Sequence, residues 1–312
     1  MNADLAHAYN QIITGCGLVD FDDHARLWAA GRDRIDLIHR MSTNDLLGMA
    51  VNEGRATVLT TAVARMVDRI VVINLGERAL ILGSAGTAAL IRRWLSGYIF
   101  FNDEVTFIDA ADELSQFVLF GPKAAVIAES LATGASRLKQ YHVLQSADVV
   151  LGRGDRLAGE SFFVVGPRDA VMGWREKAVA AGAVVAAREV YEVARVESGL
   201  PEYGHEIGEA FIPLEAGLWG DVSFAKGCYI GQEIIARMES RGKLAKTLVG
   251  IRAGRPVAAG TSFPGGTVTS VVQSPRFGWI GLAFVKPSEA DAGMKITFED
   301  MSVTVASLPF VD

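Results

Sequence analysis

The side chains best suited to chemistry are concentrated in residues 189–246. Cys228 follows Lys226 by two positions, and the run that begins at Gly231 predicts a helix just beyond the thiol. A helix N-terminus and a nearby ammonium both favour the thiolate form of cysteine, so these neighbours predict a reactive Cys228. The alternative is a small buried hydrophobic residue, which describes many free cysteines. The spacing supplies no histidine base, which argues against a papain-like protease.

The same segment offers groups suited to a flat, nitrogen-rich ligand. Arg195 and Glu197 are two residues apart, so a strand would place them on one face and a helix would not. A carboxylate is a good partner for the paired N–H donors of an aminopyrimidine-like ring. An ordinary ion pair or a solvated face is the competing interpretation. Flat aromatic faces come from Tyr203, Phe211, Trp219 and Tyr229, and further charges from Glu202, His205, Glu206, Glu215 and Asp221.

Composition restricts the classes of protein that these residues can serve. The chain has 312 residues with 50% hydrophobic and 21% charged side chains, which predicts a globular protein of two or three domains. A formal net charge of −6 argues against a general nucleic-acid binder, which would carry a basic excess. Cys16 and Cys228 are too few and too far apart for a disulfide scaffold or a four-thiolate iron–sulfur cluster. We therefore expect no resident metal site.

The chain has no pattern typical of secretion or membrane insertion. Its first residues, MNADLAHAYN, lack a basic region and a long apolar core, so we expect no secretory signal. The longest uncharged apolar run, residues 178–187, is half the length of a membrane span. These features predict a cytoplasmic protein without a membrane partner.

The elements that must position the chemistry repeat one pattern, in which a strand ends at a glycine and a helix follows. The copies occupy residues 79–97, 117–134 and 162–182, and in the first copy we predict the turn at Gly83 and Gly86. Because strands outnumber helices roughly two to one without regular βαβ alternation, the pattern predicts α+β domains of split-βαβ type, not one doubly wound parallel sheet. Further strands are predicted at residues 25–30, 69–75, 104–109 and 148–151.

The character of the sequence changes after about residue 245. The remaining stretch is rich in glycine, proline, valine and threonine, and its apolar runs are short. Such a composition is typical of a small all-β barrel or sandwich. We predict a domain boundary between Arg241 and Thr247.

Several motifs resemble those of a known family. The octapeptide KGCYIGQE at residues 226–233 resembles the signature of the YgfZ family of folate-binding proteins. The stretches at 195–207 (RVESGLPEYGHEI) and 212–218 (IPLEAGL) are similar to a pattern that YgfZ proteins share with the glycine-cleavage T-protein, an aminomethyltransferase. STNDL at 42–46 resembles the family's threonine-asparagine-aspartate element, and the end of the chain resembles its terminal barrel. The resemblance therefore covers nearly the whole chain.

This resemblance implies a particular α+β architecture. Ferredoxin-like, split-βαβ domains would form a three-domain ring around a central opening, with a C-terminal all-β barrel. The implied divisions are an N-terminal α+β folate-binding domain (1–110), a second α+β domain (111–190), a return segment that lines the folate site (191–243) and the barrel (244–312). The ligand of the central opening would be tetrahydrofolate, so the implied small-molecule partner is a reduced folate.

The resemblance also implies roles for individual residues. Glu197 would hold the aminopyrimidine edge of the pterin, and the catalytic group would be Cys228 with Lys226 and Asp68. The other residues expected to bind folate are Arg195, Tyr203, Asn44, Trp219 and Gln232. YgfZ proteins act in assembly or repair of iron–sulfur enzymes, which implies iron–sulfur client or assembly proteins as partners. The alternatives are an aminomethyltransferase, another folate-dependent one-carbon transferase, or a folate-dependent demethylase-like enzyme.

One short stretch departs from the pattern of T-proteins. T-proteins carry an Asp-Asp pair after a glycine-rich turn, whereas this chain has Ala64 at the glycine and Arg69 beside Asp68. A guanidinium in place of a carboxylate would repel a cationic aminomethyl intermediate by about 4 kcal/mol at ~4 Å and an effective dielectric constant near 20. That repulsion would slow aminomethyl transfer roughly a thousandfold. We therefore expect Arg69 to oppose this reaction, which favours the accessory role through Cys228.

Overall fold

Three β-sheets organise the protein, and helices cover or connect them. The structure is a computed structural model that describes residues 3–298 and 301–310. Within these residues the α-helices are α1 (Ala3–Thr14), α2 (Arg34–Met41), α3 (Ala88–Ser96), α4 (Ala124–Leu131), α5 (Arg168–Ala180), α6 (Arg188–Ser198) and α7 (Gln232–Arg241). The strands are β1 (Gly17–Asp20), β2 (His24–Ala30), β3 (Gly54–Thr60), β4 (Met66–Asn74), β5 (Arg78–Ala85), β6 (Thr106–Asp109), β7 (Leu114–Gly121), β8 (Val143–Ser146), β9 (Val149–Arg153), β10 (Glu160–Pro167), β11 (Val184–Val185), β12 (Thr247–Ala253), β13 (Ser262–Phe263), β14 (Gly266–Ser274), β15 (Gly278–Val285), β16 (Lys295–Phe298) and β17 (Met301–Ala306).

The first sheet is antiparallel, with the strand order β3-β4-β5-β2-β6. Side chains of β4 alternate between its two faces, as in any strand. Ile70 and Val72 pack into a core with Ile91 of α3. Arg69 lies on the opposite face and lines an internal cavity. This alternation decides which of two neighbours, Asp68 or Arg69, can reach a ligand in that cavity.

A glycine in β5 allows α3 to lie close to the first sheet. Gly83 is inside the strand, and a Cβ atom there would come within 2.4 Å of the Ile91 side chain. The turn predicted at this glycine is therefore wrong. The chain turns at Gly86, whose φ of 71° lies in the left-handed region that favours glycine.

The second sheet has the order β11-β1-β7-β10-β9-β8 and is antiparallel except where β1 and β11 pair in parallel. Strand β1 comes from residues 17–20, yet it pairs with β7 and not with the first sheet. It fills the gap between β7 and β11, so the N-terminal segment completes a sheet whose other strands follow residue 113. The implied division at residue 110 therefore does not separate the strands of the two sheets.

Apart from the turn at Gly83, the strands and helices predicted for these two sheets agree with the structure. The helices expected after each strand and glycine are α3, α4 and α5. The four further predicted strands correspond to β2, β4, β6 and β9, with ends that differ by at most three residues. The predicted α+β class is confirmed by this mixture of sheets and covering helices.

The third sheet is antiparallel, with the order β13-β14-β15-β12-β17-β16, and it curls into a half-barrel. Its first strand begins at Thr247, where the composition changes. Val249, Ile251 and Val268 contribute to its core. Helix α6 packs on β14 and β15 and also contacts α1, so it joins this sheet to the rest of the protein. Among the described residues, no helix is both long enough and apolar enough to cross a membrane.

Candidate functional site

A cavity of about 690 Å³ lies where the three sheets meet. Its walls come from β4 and β5, from β7 and β10, from α6 with the loop that follows it, and from β12. Its apolar lining includes Val71, Leu82, Val118, Leu157, Phe163, Leu200 and Leu218, and its charged lining includes Arg69, Asp155, Arg195, Glu202 and Asp221. The cavity corresponds to the predicted central opening, and its volume is typical of small-molecule sites.

Arg69 extends from β4 into the cavity and binds two carboxylates. Its Nη1 and Nη2 atoms donate to the two carboxylate oxygens of Asp155 at 2.8 and 3.1 Å. Its Nε donates to Oδ2 of Asp221 at 2.6 Å. Nη2 also donates to the Tyr141 hydroxyl at 2.7 Å, and that hydroxyl donates to Asp155. We call these four residues the Arg69 cluster.

The Arg69 cluster is negatively charged overall. Burial disfavours the charged guanidinium, but Asp155 and Asp221 outweigh this effect and raise the pKa of Arg69 well above its usual range. Burial also disfavours an ionised Asp155, but Arg69 outweighs it and lowers the pKa of that carboxyl. One guanidinium and two carboxylates give a net charge of −1. The prediction that Arg69 would repel a cationic intermediate is therefore wrong. The carboxylates of Asp155 and Asp221, from distant parts of the chain, carry more negative charge than the guanidinium neutralises.

Asp68 does not line the cavity, in contrast to its predicted catalytic role. Its side chain is fully buried on the other face of β4. It accepts hydrogen bonds from the hydroxyls of Ser84 and Thr87 at 2.6 and 2.7 Å, and from the backbone N–H of Arg69 at 2.8 Å. Burial raises the pKa of Asp68, although these hydrogen bonds favour its charged form. The carboxyl fixes the turn between β5 and α3.

Another wall of the cavity contains Arg195, which is 2% exposed. Its guanidinium donates to the carboxylates of Glu192 and Glu206 at 2.8 and 3.3 Å and to the Ser270 hydroxyl at 3.0 Å. Burial disfavours its charge, but these carboxylates raise the pKa of Arg195. Of the residues predicted to bind folate, Arg195 and Tyr203 line the cavity.

Glu197, predicted to hold the pterin, lies outside the cavity lining. Because α6 is a helix, Glu197 and Arg195 do not share a face. The Glu197 carboxylate is 6% exposed and accepts hydrogen bonds from the Tyr9 hydroxyl at 2.7 and 2.9 Å and from the Ser274 hydroxyl at 2.6 Å. Burial raises the pKa of Tyr9, which keeps this hydroxyl a donor. These contacts connect α6 to α1 and β14.

Lys226 fastens the octapeptide loop to the first sheet and its helices. Its ammonium donates to the backbone carbonyls of Ser42 and Asn44 at 2.7 and 2.9 Å and also to that of His39. Burial lowers the pKa of Lys226 to about 8. Because its donors are directed at carbonyls, Lys226 positions the loop, in contrast to its predicted role beside the thiol of Cys228.

Cys228 itself is exposed, which excludes the alternative of a buried hydrophobic residue. Helix α7 begins at Gln232, as predicted, with Gly231 at its N-cap at a φ of 84°. The Gln232 side chain accepts a hydrogen bond from the backbone N–H of Tyr229 at 3.3 Å. It therefore closes the turn before α7 and does not line the cavity. Cys228 also lies outside the cavity lining.

The two remaining residues predicted to bind folate lie outside the cavity lining as well. Asn44 donates its side-chain amide to the carbonyls of Ala56 and Gly220 at 2.8 and 3.2 Å, so it ties two loops together. Trp219 is 44% exposed and packs near Phe224, with the ring centroids 6.1 Å apart. Gly220, which accepts the hydrogen bond from Asn44 and follows Trp219 in sequence, does line the cavity.

The cavity also contains residues that the sequence did not identify as site residues. Asp155 lies in an ordinary-looking Gly-Asp-Arg turn, and Tyr141 belongs to no recognisable motif. Asp221 was evident only as one of many charges. A structural signal exists for Tyr141, whose φ of 63° lies in the left-handed region that residues with side chains rarely adopt.

The chain is similar to known proteins over most of its length. The family model described as GCVT N-terminal domain matches residues 1–226. A chloroplastic protein of Arabidopsis thaliana that carries the name "putative transferase" is 29% identical over 310 residues, which cover 95% of this chain and 72% of that protein. The aminomethyltransferase of Symbiobacterium thermophilum is 29% identical over 306 residues, covering 90% of this chain and 81% of the relative.

A solved structure shares the whole architecture. The crystal structure of the glycine cleavage system aminomethyltransferase T from Bartonella henselae superposes with a TM-score of 0.87, covering 98% of this chain and 89% of that chain. Sequence identity between the two is 20%, so this likeness establishes the fold alone. Because the family model spans well over half of the residues, the chain belongs to the GCVT family and has the aminomethyltransferase-like fold.

Proposed function

We propose that the protein binds a reduced folate in the central cavity and acts on the one-carbon unit of that folate, as an aminomethyltransferase-like protein. The observation that supports this most directly is the cavity of about 690 Å³ in a chain of the GCVT family. The name aminomethyltransferase is carried by a relative that matches 90% of this chain.

The lining of the cavity suits a folate. Tyr191 and Tyr203 offer aromatic surface to a pterin ring, and Val118 and Leu218 help to exclude water. Bound tetrahydrofolate would supply the nitrogen atoms that carry the one-carbon unit. The protein would bind and orient the ring through its aromatic and apolar walls. Charged groups that line the cavity would bind the polar parts of the ligand.

The charge of the Arg69 cluster supports transfer of an aminomethyl group. A cationic nitrogen is stabilised near a net negative charge, and the effect is larger in a cavity than in bulk water. With a net charge of −1, the cluster supplies such a site. The electrostatic objection to this chemistry therefore does not apply, and the transferase becomes the better supported function.

An accessory role of the YgfZ type, in assembly or repair of iron–sulfur enzymes, is our second proposal. The observation that favours it is the exposed thiol of Cys228 within the KGCYIGQE loop. Cys16 is buried, so a single thiol of the chain is available to a cluster or to a partner's sulfur. One thiolate can hold such a group only transiently, which fits delivery or repair better than storage.

The variant Cys228→Ala separates the two functions. We expect purified wild type and variant to release ammonia and form methylene-tetrahydrofolate at rates within twofold of each other, because Cys228 does not line the cavity. The substrates are tetrahydrofolate and an aminomethylated lipoyl carrier. The accessory role predicts, in addition, that the variant lowers the activity of iron–sulfur enzymes in the host. No turnover where a known T-protein works would contradict the first proposal, and unchanged iron–sulfur enzyme activities would contradict the second.

A further inference from the structure

One carboxylate oxygen in the cavity has no hydrogen-bond donor among the residues that the structure describes. Oδ2 of Asp221 accepts the hydrogen bond from Arg69, but among the described residues none donates to its Oδ1. The residue is 7% exposed and lines the cavity. Oδ1 is not one of the sealed polar atoms without a partner, so it remains accessible from the cavity. Because Oδ1 is accessible from the cavity, a ligand bound there can complete its hydrogen bonding.

The position of this oxygen is fixed by several contacts. The backbone carbonyl of Asp221 accepts a hydrogen bond from the Thr43 hydroxyl at 2.6 Å, and its backbone N–H donates to the carbonyl of Leu218 at 3.2 Å. Arg69 holds the other carboxylate oxygen at 2.6 Å. Arg69 is therefore a positioning residue, and Oδ1 is presented to the cavity without a change of side-chain conformation.

The neighbouring carboxylate differs in this respect. Both oxygens of Asp155 receive hydrogen bonds from Arg69, and Oδ1 also receives them from Tyr141 and from Gln140 at 3.2 Å. Asp155 is therefore saturated and serves to balance the guanidinium. The excess negative charge of the cluster is available to a ligand at Asp221.

The chemistry of the free oxygen selects one class of ligand group. The aminopyrimidine edge of a pterin presents two parallel N–H donors and needs two acceptor oxygens. Asp221 offers one. The charged lining of the cavity (Arg69, Arg195, Asp155, Asp221 and Glu202) also sums to −1. A single donor with a positive charge satisfies both conditions.

We propose that Asp221 Oδ1 binds a cationic nitrogen on the one-carbon unit of the bound folate. This inference rests on the proposed function, because it requires the folate to occupy the cavity. It assigns the specificity of the site to a carboxylate on the loop between α6 and α7, held by an arginine on β4.

A matched pair of ligands tests the proposal by binding alone. The compound 5-formiminotetrahydrofolate carries a cationic group on N5, whereas 5-formyltetrahydrofolate carries a neutral group of the same shape. We expect the wild type to bind the formimino compound about ten- to a hundredfold more tightly, as measured by isothermal titration calorimetry, because a charge-assisted hydrogen bond is formed only with it. Asp221→Asn should bring the ratio close to one and leave the affinity for the formyl compound unchanged.

Asp148→Asn is the control, because Asp148 is an exposed aspartate outside the cavity lining, and it should keep the wild-type ratio. Equal affinities of the wild type for both compounds would overturn the inference, and this comparison does not depend on any variant folding. If Asp221→Asn weakened the affinity for both compounds equally, the inference would also be overturned, since Asp221 would then bind the pterin. If neither compound binds the wild type, the proposed function itself fails.

Discussion

Arg69→Ala is expected to lower the free energy of unfolding by about 3 kcal/mol or more. The substitution leaves Asp155 and Asp221 as two carboxylates in the cavity without their shared guanidinium, and breaking such a pair from one side is costly. Both carboxylates are less than a third exposed, so solvent compensates only in part. Urea denaturation of wild type and variant at pH 7 measures the difference.

Two further variants make this result specific. Arg32→Ala removes an exposed arginine that pairs with surface carboxylates, and it should leave the free energy of unfolding close to that of the wild type, because exposed ion pairs contribute little to stability. Adding Asp155→Asn to Arg69→Ala should restore part of the loss, because it removes one of the two unpaired charges. A loss below about 1 kcal/mol for Arg69→Ala, on the scale of an exposed pair, would show that solvent already screens the cluster.

The effect of Arg69→Ala should also depend on pH. In the wild type Arg69 lowers the pKa of Asp155, so the folded state binds fewer protons there than the unfolded state. The stabilisation is therefore complete above the pKa of an ordinary aspartate, about 4, and is lost as the pH falls through the lower folded value. The stability difference between wild type and variant should narrow below about pH 4.

Lys226→Met should lower the free energy of unfolding by about 2–3 kcal/mol, because three backbone carbonyls lose a charged donor. Methionine fills similar space but donates no hydrogen bond. The octapeptide loop should then detach from the first sheet and its helices, and limited proteolysis within residues 222–231 should become faster. Lys243→Met is the control, since this lysine is exposed, and it should change neither property. Wild-type stability and cleavage rate in Lys226→Met would contradict the role of Lys226 in fastening the loop.

The contribution of Lys226 to stability should rise with pH. Its pKa is lowered from 10.5 to about 8 by burial, so between these values the unfolded chain binds more protons than the folded one. The contribution of Lys226 to the free energy of unfolding therefore increases as the pH rises from about 8 to 10.5. Lys226→Met abolishes this contribution, so the gap between wild type and variant should widen over the same interval. A constant gap would show that the lysine titrates at its ordinary pKa.

The parts of the fold that local sequence determines could be predicted. The strand, glycine and helix repeats gave α3, α4 and α5, and the change of composition marked the start of the third sheet at Thr247. The pairing of β1 with β7 could not be predicted, because these strands are almost a hundred residues apart and nothing in either sequence specifies the partner. Local periodicity identifies a strand but does not identify its neighbour.

The site was harder to predict than the fold, for the same reason. The partners of Arg69 lie 86 and 152 residues away in sequence, at Asp155 and Asp221. Local sequence showed a cation where the resemblance to T-proteins implied a carboxylate, and it could not show that the fold restores the negative charge. The resemblance to the family likewise implied that Asn44 and Glu197 bind folate, yet their contacts are with the protein and neither lines the cavity.

Titration of tetrahydrofolate into the wild type, Tyr203→Ala and Trp219→Ala is the most direct test of a folate site in the central cavity. Tyr203 lines the cavity, whereas Trp219, exposed at the surface, does not. We expect saturable binding to the wild type with a stoichiometry of one, and an affinity about tenfold or more weaker in Tyr203→Ala, since one aromatic contact with a planar ring contributes about 1–3 kcal/mol. Trp219→Ala should bind as the wild type does. Absence of binding, or an affinity that falls in Trp219→Ala and not in Tyr203→Ala, would contradict a folate site in the central cavity.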